Sequence, residues 1–99
     1  MFLIDLEYLV SWEEVQKHVV EHRAYLGRYY ERGELLLSGP KGSKKGGIIL
    51  SLQQELAEVK RMIAEDPFNT RGVAKFTITE FAAVKYLPVL EKTLNNYLT

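Results

Sequence analysis

The chain has no cysteine, which excludes disulfides, thiol catalysis and zinc–thiolate sites. It has no excess charge of either sign: Lys and Arg number 13, Asp and Glu number 13, and the formal net charge is zero. That balance gives no electrostatic reason to expect nucleic acid or an anionic membrane as partner, and it leaves little repulsion between copies of the chain. No apolar run is long enough to span a bilayer. The opening Met1-Phe2-Leu3-Ile4-Asp5-Leu6 is apolar but lacks the basic segment of a signal peptide and meets an acid at once. A strand is expected there, and a cytoplasmic location by default. No internal repeat, linker or low-complexity stretch interrupts the 99 residues, so a single domain over 1–99 is expected.

What is present suits a globular domain: 46% hydrophobic and 26% charged residues, enough to bury a core. Phe2 to Val10 is rich in β-branched and aromatic residues and reads as a strand. Ser11, with Glu14 three residues on, makes a capping box. Val15, Val19, His22, Leu26 and Tyr29 then recur at helical spacing until Gly33. Glu34 to Ser38 reads as a strand closed by Gly39-Pro40, which is not expected to continue a sheet. Gly47 leads into the strand Ile48-Ile49-Leu50, so the Gly/Lys loop 41–47 is a hairpin tip.

Ser51 is expected to cap a second helix with Leu52, Leu56, Val59 and Ile63 along one side. That helix ends at Asp66, because Pro67 disfavours helical backbone in the residue before it. A turn over Phe68-Asn69-Thr70-Arg71-Gly72 precedes a last strand from Val73 to about Val84, with Val73, Lys75, Thr77 and Thr79 alternating with Ala74, Phe76, Ile78 and Glu80. Leu87, Leu90, Leu94 and Leu98 predict a helical extension over about 86–98, Pro88 lying near its start. The core over about 2–84 is therefore β-α-β-β-α-β, the split βαβ pattern of a ferredoxin-like α+β fold. It predicts a four-stranded antiparallel sheet, two helices on one face, and the first and last strands side by side at the centre.

Only His18 and His22 titrate near neutral pH without perturbation. His18 has Lys17 and Glu21 for company and reads as the edge of the helix, whereas His22 sits within the apolar row. A histidine on a buried face must satisfy its ring nitrogens. Asp66 is the natural partner: it continues the spacing of Val59 and Ile63, and an acid at a helix C-terminus is unfavourable by roughly 0.3–1 kcal/mol unless compensated. Periodicity alone favours a plainer reading, in which His22 is a core histidine bound to a backbone carbonyl and Asp66 caps the Pro67 turn.

A wider pattern bears on that choice. His22-Arg23-Ala24-Tyr25-Leu26, Gly33-Glu34-Leu35-Leu36-Leu37-Ser38-Gly39-Pro40, Gly46-Gly47-Ile48-Ile49 and Asp66-Pro67-Phe68 with Gly72-Val73 follow one another in an order that resembles the YciI-like (YCII-related) family. The resemblance extends from Phe2 to about Phe81. It implies a ferredoxin-like fold, related to the dimeric α/β-barrel proteins and paired as a homodimer or higher homo-oligomer. It also implies a pocket for a small-molecule substrate or ligand, with His22 and Asp66 as the catalytic dyad; no cofactor is expected. Ser38 falls at the strand position before Gly-Pro, where its hydroxyl and the amides near Gly39 would orient a substrate oxygen; an ordinary strand-end serine is the alternative. Tyr25 and Phe68 flank the dyad in sequence and are expected as pocket walls.

The resemblance implies a small-molecule enzyme working by His–Asp acid–base proton transfer, of the elimination, isomerisation or dehydrochlorination type. The rival is a non-catalytic dimeric domain for ligand binding or protein interaction. A carboxylate on one ring nitrogen fixes the tautomer and leaves the other nitrogen to take or return a proton. Compared with the family pattern, the loop 41–47 is short and the tail from Tyr86 is an addition, suited to covering a pocket or extending an interface. Glu14, His18 and His22 share one helical stripe, but a fourth ligand is lacking and no metal site is expected. Lys41, Lys44 and Lys45 read as a solvated hairpin tip without P-loop spacing.

Overall fold

Phe2, Ile4 and Leu6 are almost fully buried, and the residues between them take the opposite face, so the first strand is set by a period of two. In a computed structural model, which describes residues 1–95, this strand, β1 (Phe2–Tyr8), lies inside a four-stranded antiparallel sheet. It pairs with β3 (Gly46–Ser51) on one side and β4 (Ala74–Glu80) on the other, and β2 (Leu35–Pro40) pairs with the outer edge of β3. The order β2-β3-β1-β4 is ferredoxin-like. β1 and β4 are neighbours as expected, but β3 holds the second central place and β4 is an edge. The reason lies in hairpin pairing: β3 satisfies both β2 and β1, leaving β4 only the free side of β1.

The helices cover one face. α1 (Trp12–Gln16) and α2 (Val19–Glu31) follow β1, while α3 (Leu56–Glu65) and α4 (Pro67–Thr70) connect β3 to β4. Val15, Tyr25, Leu26 and Tyr29 from the first pair meet Val59, Met62 and Phe68 from the second over the buried row of the sheet. Gly33, at φ +73°, terminates α2: its N–H bonds the Tyr30 carbonyl while that of Glu34 bonds Tyr29, a Schellman closure.

Several boundaries differ from expectation. The first helix is two helices, because the N–H groups of Lys17 and His18 close three residues back, on Glu14 and Val15, and interrupt the regular ladder. Ser11 does accept from the Glu14 N–H at 3.2 Å, but the Glu14 carboxylate turns to Lys17, 3.0 Å away, and not to the backbone of Ser11. Ser51 ends β3 and binds Gln53; the second helix starts four residues beyond Leu52, with a capping box between Glu55 and Glu58. Leu56 is consequently half exposed, and Val59 and Met62 carry the burial. Gly39 and Pro40 remain in β2, opposite Ile48 and Gly47, since an edge strand tolerates a missing N–H.

β4 stops at Glu80, four residues before the expected end. The tail forms a 3₁₀ turn over Pro88–Leu90 and α5 (Glu91–Leu94), with Leu94 buried and Leu87 exposed; Leu98 lies outside the described residues. Among those residues no helix is long and apolar enough to cross a membrane.

One polar contact ties α2 to α3. The Asp66 N–H closes on Ile63, so the Met62 carbonyl takes the Tyr25 hydroxyl instead, at 2.7 Å, with the Tyr29 hydroxyl 3.1 Å away. Burial, followed by the Tyr29 contact, pushes the Tyr25 phenol far above its ordinary range. The Tyr25→Phe variant is expected to lose about 1–3 kcal/mol of stability in urea denaturation, because a buried carbonyl is left unsatisfied. An unchanged midpoint would mean that α3 closes its own last turn.

Candidate active site

Asp66 ends α3 and starts α4 at once. Held extended at ψ 129° by Pro67, it turns its carboxylate inward, where Oδ1 accepts the Phe68 N–H at 2.9 Å. The same oxygen lies 2.8 Å from Nδ1 of His22, which projects from the first turn of α2. A buried carboxylate only accepts, so the bridging proton belongs to Nδ1. The Asp66 side chain is 1% exposed and that of His22 is 12%. The imidazole lies flat on the Phe68 ring, with centroids 3.8 Å apart and planes 2° from parallel. Orientation is thus fixed by a hydrogen bond at one edge and a stack on one face. Among the described residues Nε2 has no hydrogen-bond partner.

His22 and Phe68 line a cavity of about 400 Å³ between the helices and the β2 end of the sheet. Its sheet side is made by Leu6, Gly47 and Ile49, and the glycine between two large residues leaves the hollow. Ser38, Gly39 and Pro40 form its edge. Ser38 reaches it through a β-bulge: Leu35 faces Ser51, but Leu37 faces Leu50 and Ser38 faces Ile49. The extra residue, Leu36, reverses the alternation, so Leu37 points outward at 54% exposure and Ser38 joins the helix-side face. There its hydroxyl meets that of Tyr30 at 2.6 Å.

Of the residues singled out in the sequence, His22, Phe68, Ser38 and Gly39 line this cavity, and Asp66 stands directly behind His22. Tyr25 does not. Its place in the α2 row turns it towards α3, where its hydroxyl is taken by Met62. The Glu14, His18, His22 stripe is also broken up: Glu14 lies 3.7 Å from His18, whereas His22 engages Asp66, and among the described residues no three potential metal ligands converge. Of the basic loop, Lys41 pairs with Asp5 at 2.9 Å and Lys44 stands over the Trp12 ring at 5.6 Å.

Tyr8, Gln16 and Arg23 also line the cavity and were not anticipated. Tyr8 was legible, since period two carries the buried face from Phe2, Ile4 and Leu6 one step further. Burial pushes its hydroxyl up, and the Arg23 charge acts in the opposite sense. Arg23 stands within the His22–Leu26 segment that carries the family resemblance, but nothing in the sequence marked it as part of a pocket.

The chain is similar in fold to the 5-chloro-2-hydroxyhydroquinone dehydrochlorinase TftG of Burkholderia phenoliruptrix AC1100, solved in complex with 2,5-dihydroxybenzoquinone. The TM-score is 0.67 at 17% sequence identity, over 82% of this chain and 93% of that one. Comparison with proteins of curated function finds no match. The model of the YCII-related domain matches residues 2–82, most of the described chain and all of the sheet. The chain belongs to the YCII-related domain family.

Proposed function

We propose that the cavity is an active site in which His22 transfers a proton to or from a small organic molecule while Asp66 holds its ring. The carrying observation is the pairing of Nδ1 with a buried carboxylate, which leaves Nε2 as the nitrogen available to a ligand. Nε2 takes a proton from a carbon or oxygen acid of the substrate. It then returns the proton at a neighbouring position, an isomerisation, or keeps it while a chloride or other leaving group departs with its electron pair, an elimination. Ser38 and Tyr30, already sharing a hydrogen bond, offer hydroxyls to a substrate oxygen. The dehydrochlorinase of similar fold supports this class of reaction. The protein acts as a homodimer in this reading, so light scattering is expected to give twice the 11.4 kDa chain mass; a monomer at micromolar concentration refutes the pairing.

The test is separate replacement of His22 by Gln and Asp66 by Asn, with turnover and ligand binding followed across small phenolic, lactone and keto-acid compounds. Loss of turnover in both is expected. Should both variants keep every activity and ligand of the parent, the pair is structural and the domain a binding module.

A further inference from the structure

We propose that the cavity selects a small planar organic anion, and that Arg23 is the residue that reads its charge. The inference deepens the proton-transfer reading of the same cavity by naming its substrate class. It begins from an imbalance. Among the described residues Arg23 is the sole permanently charged side chain in the lining, and no aspartate or glutamate lines the cavity. The nearby carboxylate, Asp66, is buried and already engaged by His22 and the Phe68 N–H. Elsewhere in the chain Arg32 and Arg71 hold glutamates and Arg28 lies over Tyr25; among the described residues Arg23 and the exposed Arg61 have no ion pair, hydrogen bond or aromatic partner, and of these two only Arg23 lines the cavity. A guanidinium edge presents paired donors that match the two oxygens of a carboxylate or of a conjugated enolate.

Arg23 is itself exposed at the cavity rim, where water and salt screen the pair, while the apolar walls from Leu6, Val19, Leu26 and Ile49 hold the body of the ligand. The flat Phe68–His22 stack, with the Tyr8 ring edge-on to Phe68 at 88°, suits a planar body. A cavity of ~150 Å³ holds benzene; one of about 400 Å³ accommodates a ring carrying charged and hydroxyl substituents. Lys44, above the Trp12 wall, adds a second cation to steer an anion inward.

Trp12 is the chain's single tryptophan and lines the cavity, so its fluorescence reports occupancy. The probes are benzoate and its neutral twin benzamide. The parent is expected to bind benzoate about tenfold or more tightly than benzamide, with added salt weakening benzoate alone. Arg23→Gln is expected to bring the two affinities together by weakening benzoate. Equal affinities in the parent, a preference that survives Arg23→Gln, or no binding of either probe at millimolar concentration overturns the proposal. The parent comparison stands even if the variant folds poorly. Binding is measured without turnover, so an anion preference in a protein whose His22 proves non-catalytic leaves this inference intact. Dyad-dependent turnover without the preference overturns the Arg23 inference alone.

Discussion

Replacing His22 with Gln is expected to lower turnover by roughly 10²–10⁴-fold, the usual contribution of a positioned general base, with the fold retained. Gln is close to His in size, and its amide N–H can donate to Asp66 Oδ1 as Nδ1 does now. The buried carboxylate therefore keeps a partner, and the melting temperature should move little. What disappears is a group that can take up a proton. Asp66→Asn reaches a similar loss by another route. Its amide oxygen takes the place of Oδ1, which accepts from both the Phe68 N–H and His22 Nδ1, so the ring keeps its tautomer. What is lost is the negative charge behind the ring, so the imidazolium formed when Nε2 takes a proton is no longer compensated. Near-equal loss in both variants with normal melting curves marks a dyad. A large loss of stability in either, with activity per folded molecule unchanged, marks a structural pair.

Gly46→Ala is expected to destabilise the domain by about 3 kcal/mol, at the upper end of the ~1–3 kcal/mol of overpacking. Gly46 is buried between the central strands, and a Cβ there would collide with the backbone carbonyl oxygen of Leu6. A flexible side chain could swing away, but a carbonyl held in the β1–β3 ladder cannot. The strands must part at Glu7 and Gly46, next to the Gly47 that forms the cavity floor. For a domain of this size ~3 kcal/mol corresponds to roughly 12–24 °C in melting temperature. A shift of only a degree or two would mean that the hairpin end of the sheet yields easily. The resemblance to the family already marked Gly46-Gly47; backbone approach is the physical reason for both, since a Cβ would collide with the Leu6 carbonyl at the first and stand 3.2 Å from the Gly39 carbonyl oxygen at the second, on the cavity side.

The sequence by itself determined the fold class, because local signals agreed. Alternation set β1, Gly33 ended α2, and Pro67 forced Asp66 out of the helix. It determined part of the candidate site too: a histidine in an apolar row needs a polar partner, and an acid at a helix end needs compensation. These are properties of residues and their near neighbours. The tertiary structure decided what depends on distant pairing. The order of strands followed from β3 bonding two partners. Ser38 joined the cavity only because a bulge at Leu36 reversed the facing of β2, and strict alternation would have put Leu37 inside. Tyr25 was drawn to an open carbonyl on α3 and left the cavity to Tyr8, Tyr30 and Arg23. Spacing along a chain fixes a side chain's direction within its own element; the angle and register between elements fix what it meets.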